Sequence, residues 1–190
     1  MSGEKITSKP WFPAVAASSV LAVLAIGAYL WIHLTPPVHA GQVLSVNTYP
    51  IHRELSTGPV NKSRTEGVAG QPDIYDQMIV LADVRIKNQT DIPLFLHDMR
   101  GVVHLPDGDQ ESLAASATDI RKALIAYPDL KQFQKEPLPR DVTIPAGQQV
   151  EGLVVYNYPI SKAQWDSRTG MDLNFTFLHQ KPLVLQVAAK

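Results

Sequence analysis

Imidazole and carboxylate side chains are concentrated between positions 97 and 111, where they could ligate a metal ion. These candidate ligands are His97, Asp98, His104, Asp107, Asp109 and Glu111. The last three would suit a hard cation such as calcium, which needs several oxygen ligands. However, neighbouring residues of a strand point to opposite faces, and the segment lacks the length and ligand number of an EF-hand loop. The pattern therefore favours a solvated hairpin tip, and we predict no metal and no other cofactor.

No other pattern in the chain predicts catalysis or nucleic-acid binding. Cysteine is absent, which excludes a thiol nucleophile and a zinc–thiolate site. There is neither a G-x-S-x-G turn nor a glycine-rich nucleotide-binding motif, and nothing in the sequence brings Asp166 and Asp172 together as a carboxylate pair. The formal net charge of −1 is not the positive footprint that nucleic acid requires. We therefore expect a protein that is not an enzyme.

Three asparagines, Asn61, Asn88 and Asn174, match the N-x-[ST] glycosylation pattern. Asn88 stands in an Asn-Gln-Thr-Asp turn cluster, and Asn174 alternates with apolar residues on a strand. The sequence therefore favours structural roles for both, in a turn and on the solvated face of a strand.

An uncharged segment over residues 11–34 predicts a transmembrane helix. Lys5 and Lys9 precede it, and the next basic residue is Arg53, so the positive-inside rule places residues 1–10 in the cytoplasm. The alternative is a signal peptide cleaved after Ala40, because small residues precede that position. A signal peptide's apolar region is shorter, so the sequence favours a retained single-pass anchor in the cytoplasmic membrane.

Small residues recur at every fourth position of this segment, at Ala14, Ser18 and Ala22. Such a spacing lets two membrane helices approach closely, so these residues are a candidate helix-pairing face. Alanine-rich apolar segments also produce the pattern without any pairing.

The remainder of the chain is predicted to be mainly β. We divide it into a linker, first strand and polar loop over 35–74 and a β-sandwich over 75–188. Strands are predicted at 41–55, 75–88, 92–105, 141–147, 149–159, 171–179 and 182–188. The first is predicted to lie at an edge, the second to be central and largely buried, and the third to return beside the second. Turns are predicted at 106–109, where Asp-Gly accepts a positive φ, and at 180–181. Short strands with frequent turn signals favour an immunoglobulin-like sandwich of two antiparallel sheets.

A helical insertion at 116–136 interrupts the strands. Ser116 resembles a helix cap, and Ile120, Leu124 and Tyr127 share one helical face. This face is expected to pack on a sheet; if it does not, it is an exposed docking site. Trp165, in a loop between strands, either folds back onto the end of the sandwich or is an interface anchor.

The segments VRIKNQTDIPLFL and TIPAGQQVEGLVVYNYP resemble parts of the telokin-like, immunoglobulin-fold extracytoplasmic domains of bacteria. The resemblance covers residues 75–188. It implies a sandwich domain that acts in binding or assembly behind a single anchor or lipoprotein signal. It brings no catalytic residues, and the helical insertion departs from a plain sandwich of that kind.

These observations predict a membrane-anchored binding or assembly module whose C-terminal domain is periplasmic or extracellular. It would be an accessory subunit or tether with a protein partner in the envelope, and it would contact the cytoplasmic membrane through residues 11–34. The alternative is a cleaved, soluble periplasmic carrier of an apolar ligand or lipid. The carrier predicts a cavity lined by residues 78–86 and 149–158.

Overall fold

The computed structural model describes residues 12–34, 38–55 and 73–189. The predicted cytoplasmic tail, Asn61 and most of the predicted polar loop lie outside these residues. The chain divides into two compact units, Met1–Pro37 and Val38–Lys190.

The first unit contains helix α1, Phe12–Leu34, of 23 residues. Its described side chains are those of Val15 and residues 17–30, and Ser18 and Ala22 of the predicted pairing face are exposed. The side chain of Ala14 lies outside the described part of the chain, and helix pairing stays a prediction. Among the described residues, no helix combines the length and apolarity needed to cross a membrane.

The first sheet of the second unit has three antiparallel strands: β1 (His39–Leu55), β2 (Asp73–Asn88) and β6 (Gln149–Tyr158). Their order is β1-β2-β6, so β1 is at an edge and β2 is central, as the sequence predicts. β1 begins two residues before the predicted strand, and Ala40 pairs with Lys87 of β2. The predicted cleavage position therefore lies inside a strand.

The second sheet contains β3 (Leu94–Leu105), β4 (Gly108–Leu113), β7 (Gly170–Phe177) and β8 (Leu183–Ala188) in the order β4-β3-β7-β8. Only Thr143–Ile144 of the strand predicted at 141–147 is formed, as β5, and it pairs with β3. The predicted turns after β3 and β7 both join hairpins, and Gly108 adopts the positive φ of 130° that an Asp-Gly turn permits.

The segment between β2 and β3 differs from the prediction. β3 is not the return strand of a hairpin with β2, because it pairs with β4, β5 and β7 in the other sheet. Residues 89–93 are therefore a crossover between sheets. Asn88, which is fully buried, organises it: its amide nitrogen donates to the carbonyls of Ile92, Ile144 and Pro145, and its amide oxygen accepts from Thr90. The structural role expected for Asn88 is confirmed.

The two sheets pack face to face around one apolar core. The inward-facing side chains of β2, which are all 0–1% exposed, contact those of β3, β6 and β7. The core includes Met78, Val80, Ala82, Val84 and Ile86 of β2, Val154, Tyr156 and Tyr158 of β6, and Met171, Leu173 and Phe175 of β7. The positions that would line the predicted carrier cavity are therefore filled by side chains packed in the core.

The helical insertion consists of α2 (Ala117–Ala126) and a 3₁₀ helix (Pro128–Phe133). The Ser116 side chain accepts a hydrogen bond from the Asp119 amide at 3.1 Å, which caps α2, and Pro128 begins the second helix. Ile120, Leu124 and Leu130 pack with Ile79, Leu81, Leu153 and Val155 on the outer face of the first sheet. β2 is therefore buried on both faces, as its nearly continuous apolar sequence indicates.

Candidate functional site

Most of the acidic and imidazole residues between positions 97 and 111 are distributed among separate ion pairs. Arg100 separates two of the carboxylates: its Nε donates to Asp98 at 3.0 Å and its Nη1 to Glu111 at 2.8 Å. His97 lies 3.3 Å from Asp141 instead. Among the described residues, no three His, Asp or Glu side chains are placed to hold one ion.

His104 forms a small charged cluster on the outer face of the second sheet. Its Nδ1 lies 2.9 Å from Oδ1 of Asp109, and its Nε2 lies 3.3 Å from Oδ2 of Asp172. The hydrogen bond with Asp109, and after it the one with Asp172, raises the pKa of His104 above its ordinary value of 6.5, although partial burial opposes this rise. The cluster connects β3 to β4 and β7. Asp172 therefore pairs with His104 and Asp166 with Lys162, so the two aspartates do not pair with each other.

Replacing His104 with glutamine should lower stability more in acid than in alkali. The raised pKa means that His104 stabilises the fold fully at pH values below about 6.5 and loses this contribution as the pH rises through the folded-state pKa. Urea unfolding of both proteins from pH 5 to 9 measures the difference. The pKa of His52 is also raised, first by Asp76, but His52 is present in both proteins. A difference that is constant with pH would contradict the prediction.

Trp165 is not available as an interface anchor in this structure, because it is only 4% exposed and belongs to the core between the sheets. Ser161 and Gln164 form a capping box that begins helix α3, Lys162–Asp166, and this single turn directs Trp165 inward. The Arg168 guanidinium lies 4.0 Å from the centre of the indole ring and donates to the Trp165 carbonyl. Trp165 therefore closes an end of the sandwich.

The predicted surface of Ile120, Leu124 and Tyr127 is also largely used by the domain itself. Ile120 and Leu124 are 6% and 8% exposed because they cover the first sheet. The Tyr127 ring packs near Tyr49 and lies under Arg53, which also donates to its hydroxyl. Sequence periodicity identified the apolar face correctly, and the packing on a sheet that was expected first is the arrangement observed.

The insertion nevertheless borders an open cleft of about 620 Å³ between α2 and the segment that follows the 3₁₀ helix. We call it the insertion cleft. Its lining residues are Ala117, Ile120, Arg121, Leu124, Lys131, Gln134, Lys135, Glu136 and Pro137. Ile120 and Leu124 form an apolar floor, and charged side chains surround it.

Gly152 makes one wall of the insertion cleft possible. The backbone of residues 136–138 lies against β6, where the Leu138 amide donates to the Leu153 carbonyl at 2.9 Å and the Leu153 amide donates to the Glu136 carbonyl at 2.8 Å. A Cβ atom at position 152 would lie 2.6–2.8 Å from backbone and Cβ atoms of Leu138. Only glycine allows this close approach of two backbones.

The insertion cleft carries an excess of positive charge. Within the described part of the chain, neither Arg121 nor Lys131 forms an ion pair; Arg121 donates only to the Ala117 carbonyl and the Thr118 hydroxyl, at 3.4 and 3.3 Å. Lys135 pairs with Asp83, a carboxylate on the outer face of β2 that is only 5% exposed. The pair compensates a buried charge and holds the wall of the cleft to the sheet. Arg121 and Lys131 are thus the cations free to meet an acidic group.

Sequence reasoning did not identify the insertion cleft. The signal was present as Arg121, Lys131 and Lys135 within a short insertion of a chain that is slightly acidic overall. Arg121 and Lys131 are ten positions apart with a proline between them, and Lys135 is four further on. Periodicity alone cannot place three such residues on one surface. Their convergence depends on the break at Tyr127 and Pro128, where α2 ends and the 3₁₀ helix begins.

Comparison with known proteins does not assign a family. No family model matches the chain, and no curated protein matches it. Among solved structures, the chain is similar to YcdA of Bacillus subtilis, described as a candidate lipoprotein, with a TM-score of 0.43 and 16% identity over 80% of this chain. It spans only 37% of YcdA.

Two further solved structures show likenesses of the same kind. YjhA of Bacillus subtilis has a TM-score of 0.42 and 12% identity, over 80% of this chain and 92% of YjhA. A functionally unknown protein from Listeria monocytogenes has a TM-score of 0.36 and 10% identity, over 80% of this chain and 88% of that one. At these values the likenesses assign neither a family nor a function to this chain.

Proposed function

We propose that the chain is a membrane-anchored, extracytoplasmic binding or assembly module that engages an acidic segment of an envelope protein through the insertion cleft. The observation that carries this proposal is the pair of unneutralised cations, Arg121 and Lys131, beside an aliphatic floor. The module acts by binding and not by catalysis, as an accessory subunit or tether. The two facing antiparallel sheets support, as part of the same proposal, the immunoglobulin-like architecture that the sequence resembles.

The chemistry of the insertion cleft favours a peptide over a small enclosed ligand. The cleft is open to solvent, and its floor contains only the small exposed parts of Ile120 and Leu124. An acidic side chain of a partner can meet Arg121 or Lys131 while a neighbouring apolar side chain covers the floor. Such interfaces combine charge complementarity with a limited apolar contact.

The embedding of His39 in the domain supports the retained anchor. His39 is 8% exposed, its ring stacks on Phe177 with centroids 4.8 Å apart, and its Nε2 lies 2.7 Å from the Lys181 carbonyl oxygen. Cleavage after Ala40 would remove these contacts. The whole segment 11–34, including the residues whose side chains are not described, has no Asp, Glu, Lys or Arg, and a helix of 23 residues is about 35 Å long.

The retained anchor can be tested by the intact mass of the protein purified from its own cells in mild detergent. A mass that includes residues 1–40 supports the tether. A mass that begins at Gly41 overturns it and favours the soluble carrier, whose proposed cavity is filled by side chains in this structure.

Charge reversal in the insertion cleft should reduce partner binding. With a photo-reactive residue at Gln134, we expect one cross-linked adduct in the protein's own cells. Arg121→Glu or Lys131→Glu should weaken formation of this adduct by about tenfold, which corresponds to about 1.4 kcal/mol. Lys122→Glu is the matched control, because Lys122 is adjacent in α2 but does not line the cleft. An adduct that survives Arg121→Glu, or no adduct at Gln134, would overturn the proposed site.

A further inference from the structure

Three segments of the domain meet where the chain enters it at Val38. The Gln89 amide donates to the Val38 carbonyl at 3.1 Å, which attaches the crossover between β2 and β3. The contact of His39 with the Lys181 carbonyl attaches the connection between β7 and β8. Asn88 joins the end of β5 and the turn that follows it to the same place, through the carbonyls of Ile144 and Pro145. We call this end of the sandwich the Val38 end.

The Val38 end exposes large apolar side chains that the core does not use. Ile92 in the crossover is 50% exposed, Phe95 at the start of β3 is 47% exposed, and Leu178 after β7 is 46% exposed. Phe95 and Leu178 are neighbours, because the Leu178 amide donates to the Phe95 carbonyl at 3.0 Å. Phe95 points outward because its neighbours Leu94 and Leu96 point inward, at 0% and 1% exposure. One aromatic and two aliphatic side chains are thus exposed at the same end of the sandwich.

We propose that Ile92, Phe95 and Leu178 form a lipid-contacting rim with which the domain lies on the outer leaflet of the membrane. This inference depends on the anchoring of the chain proposed above. Only residues 35–37 separate Leu34, the end of α1, from Val38 in the sequence. In an anchored chain, the Val38 end is therefore the part of the domain that directly follows the anchor along the chain.

The groups around the rim suit the boundary between headgroups and acyl chains. Lys87, Lys181 and Asp91 are exposed there, so the basic groups can meet lipid phosphates while the apolar side chains enter the interface. Aromatic side chains favour this boundary. Three side chains give only weak affinity by themselves, but an anchor that already holds the domain at the surface makes the contact intramolecular.

The rim can be tested on the full chain because it contains no cysteine. The variant Phe95→Cys, labelled with an environment-sensitive fluorophore, is reconstituted in vesicles of phosphatidylethanolamine and phosphatidylglycerol, with or without lipids brominated near the headgroup. We expect a blue shift of the emission and its quenching by the brominated lipids. Ile74→Cys is the matched control: Ile74 is 62% exposed, and it lies about 46 Å along β2 from Asn88. Its label should stay unquenched.

Each outcome separates the rim from the anchor. Quenching at position 95 but not at position 74 supports the rim. If the chain withstands an alkaline carbonate wash, the anchor is intact. In that case, equal quenching at both positions, or quenching at neither, overturns the rim. A blue shift without quenching by brominated lipid also overturns it, because a protein then covers Phe95. Release of the chain by carbonate overturns the anchor and the rim together.

Discussion

Replacing Asn88 with alanine should lower the free energy of unfolding by about 3 kcal/mol, because buried carbonyl groups then lose their donors. The Asn88 amide nitrogen lies 2.7 Å from the Ile92 carbonyl oxygen, 3.0 Å from that of Ile144 and 3.1 Å from that of Pro145. Ile144 is 1% exposed, so water does not replace the lost donor there without local opening. Urea unfolding followed by circular dichroism measures the effect.

Two further variants test whether this effect arises from the amide donors. Asn88→Asp keeps an oxygen for Thr90 but removes the donors, so it should destabilise the fold about as much as alanine does. Asn174→Ala is the control, because Asn174 lies partly exposed on the outer face of β7 and should change stability by less than about 0.5 kcal/mol. If Asn88→Ala proved as mild as Asn174→Ala, the role of Asn88 in the crossover would be refuted.

Replacing Gly152 with alanine should destabilise the domain by about 2 kcal/mol and should separate the wall of the insertion cleft from β6. The new Cβ would meet backbone atoms of Leu138 at 2.6 and 2.7 Å, and backbone cannot yield as a flexible side chain can. The Leu138 and Leu153 amides bridge the two segments, so their hydrogen exchange should accelerate beyond that of the sheet. Binding through the cleft should weaken in parallel.

Gly170→Ala is the control for the Gly152 variant. A Cβ at position 170 would lie 3.6 Å from the Val187 carbonyl oxygen, which is an ordinary contact. This variant should leave stability unchanged or raise it slightly, because alanine restricts the unfolded chain. Equal loss of stability in both variants would mean that replacing glycine in a strand, and not the approach of Leu138, causes the effect.

The elements that sequence reasoning located correctly are those coded by a few neighbouring residues. The cap at Ser116 depends on a side chain three residues from the amide that it serves, and the turn at Gly108 depends on the positive φ that glycine permits. The apolar sequence of β2 likewise indicated a central strand. In contrast, the strand predicted at 141–147 is only two residues long, since β5 pairs with β3 only at Leu94 and Phe95.

The partners of strands and loops could not be derived in this way. The Asn-Gln-Thr-Asp cluster after β2 has the composition of a hairpin turn, yet it carries the chain to the other sheet. Local turn chemistry is the same in both cases, and only the packing of two complete sheets selects between them. The residues next to Asn88 indicated that it belongs to a turn. Its contacts with Ile144 and Pro145, however, join residues more than fifty positions apart, which neighbouring residues cannot indicate.

The sequence by itself determined that the chain has an uncharged N-terminal segment, a β-rich domain without cysteine and an amphipathic insertion, because composition and periodicity are properties of neighbouring residues. Only the tertiary structure decided that the insertion covers the first sheet, that Trp165 is buried, and that Arg121 and Lys131 line one cleft. It also decided that Ile92, Phe95 and Leu178 lie at the end where the chain enters. These arrangements depend on contacts between residues far apart in sequence, which only the complete packing of the domain specifies.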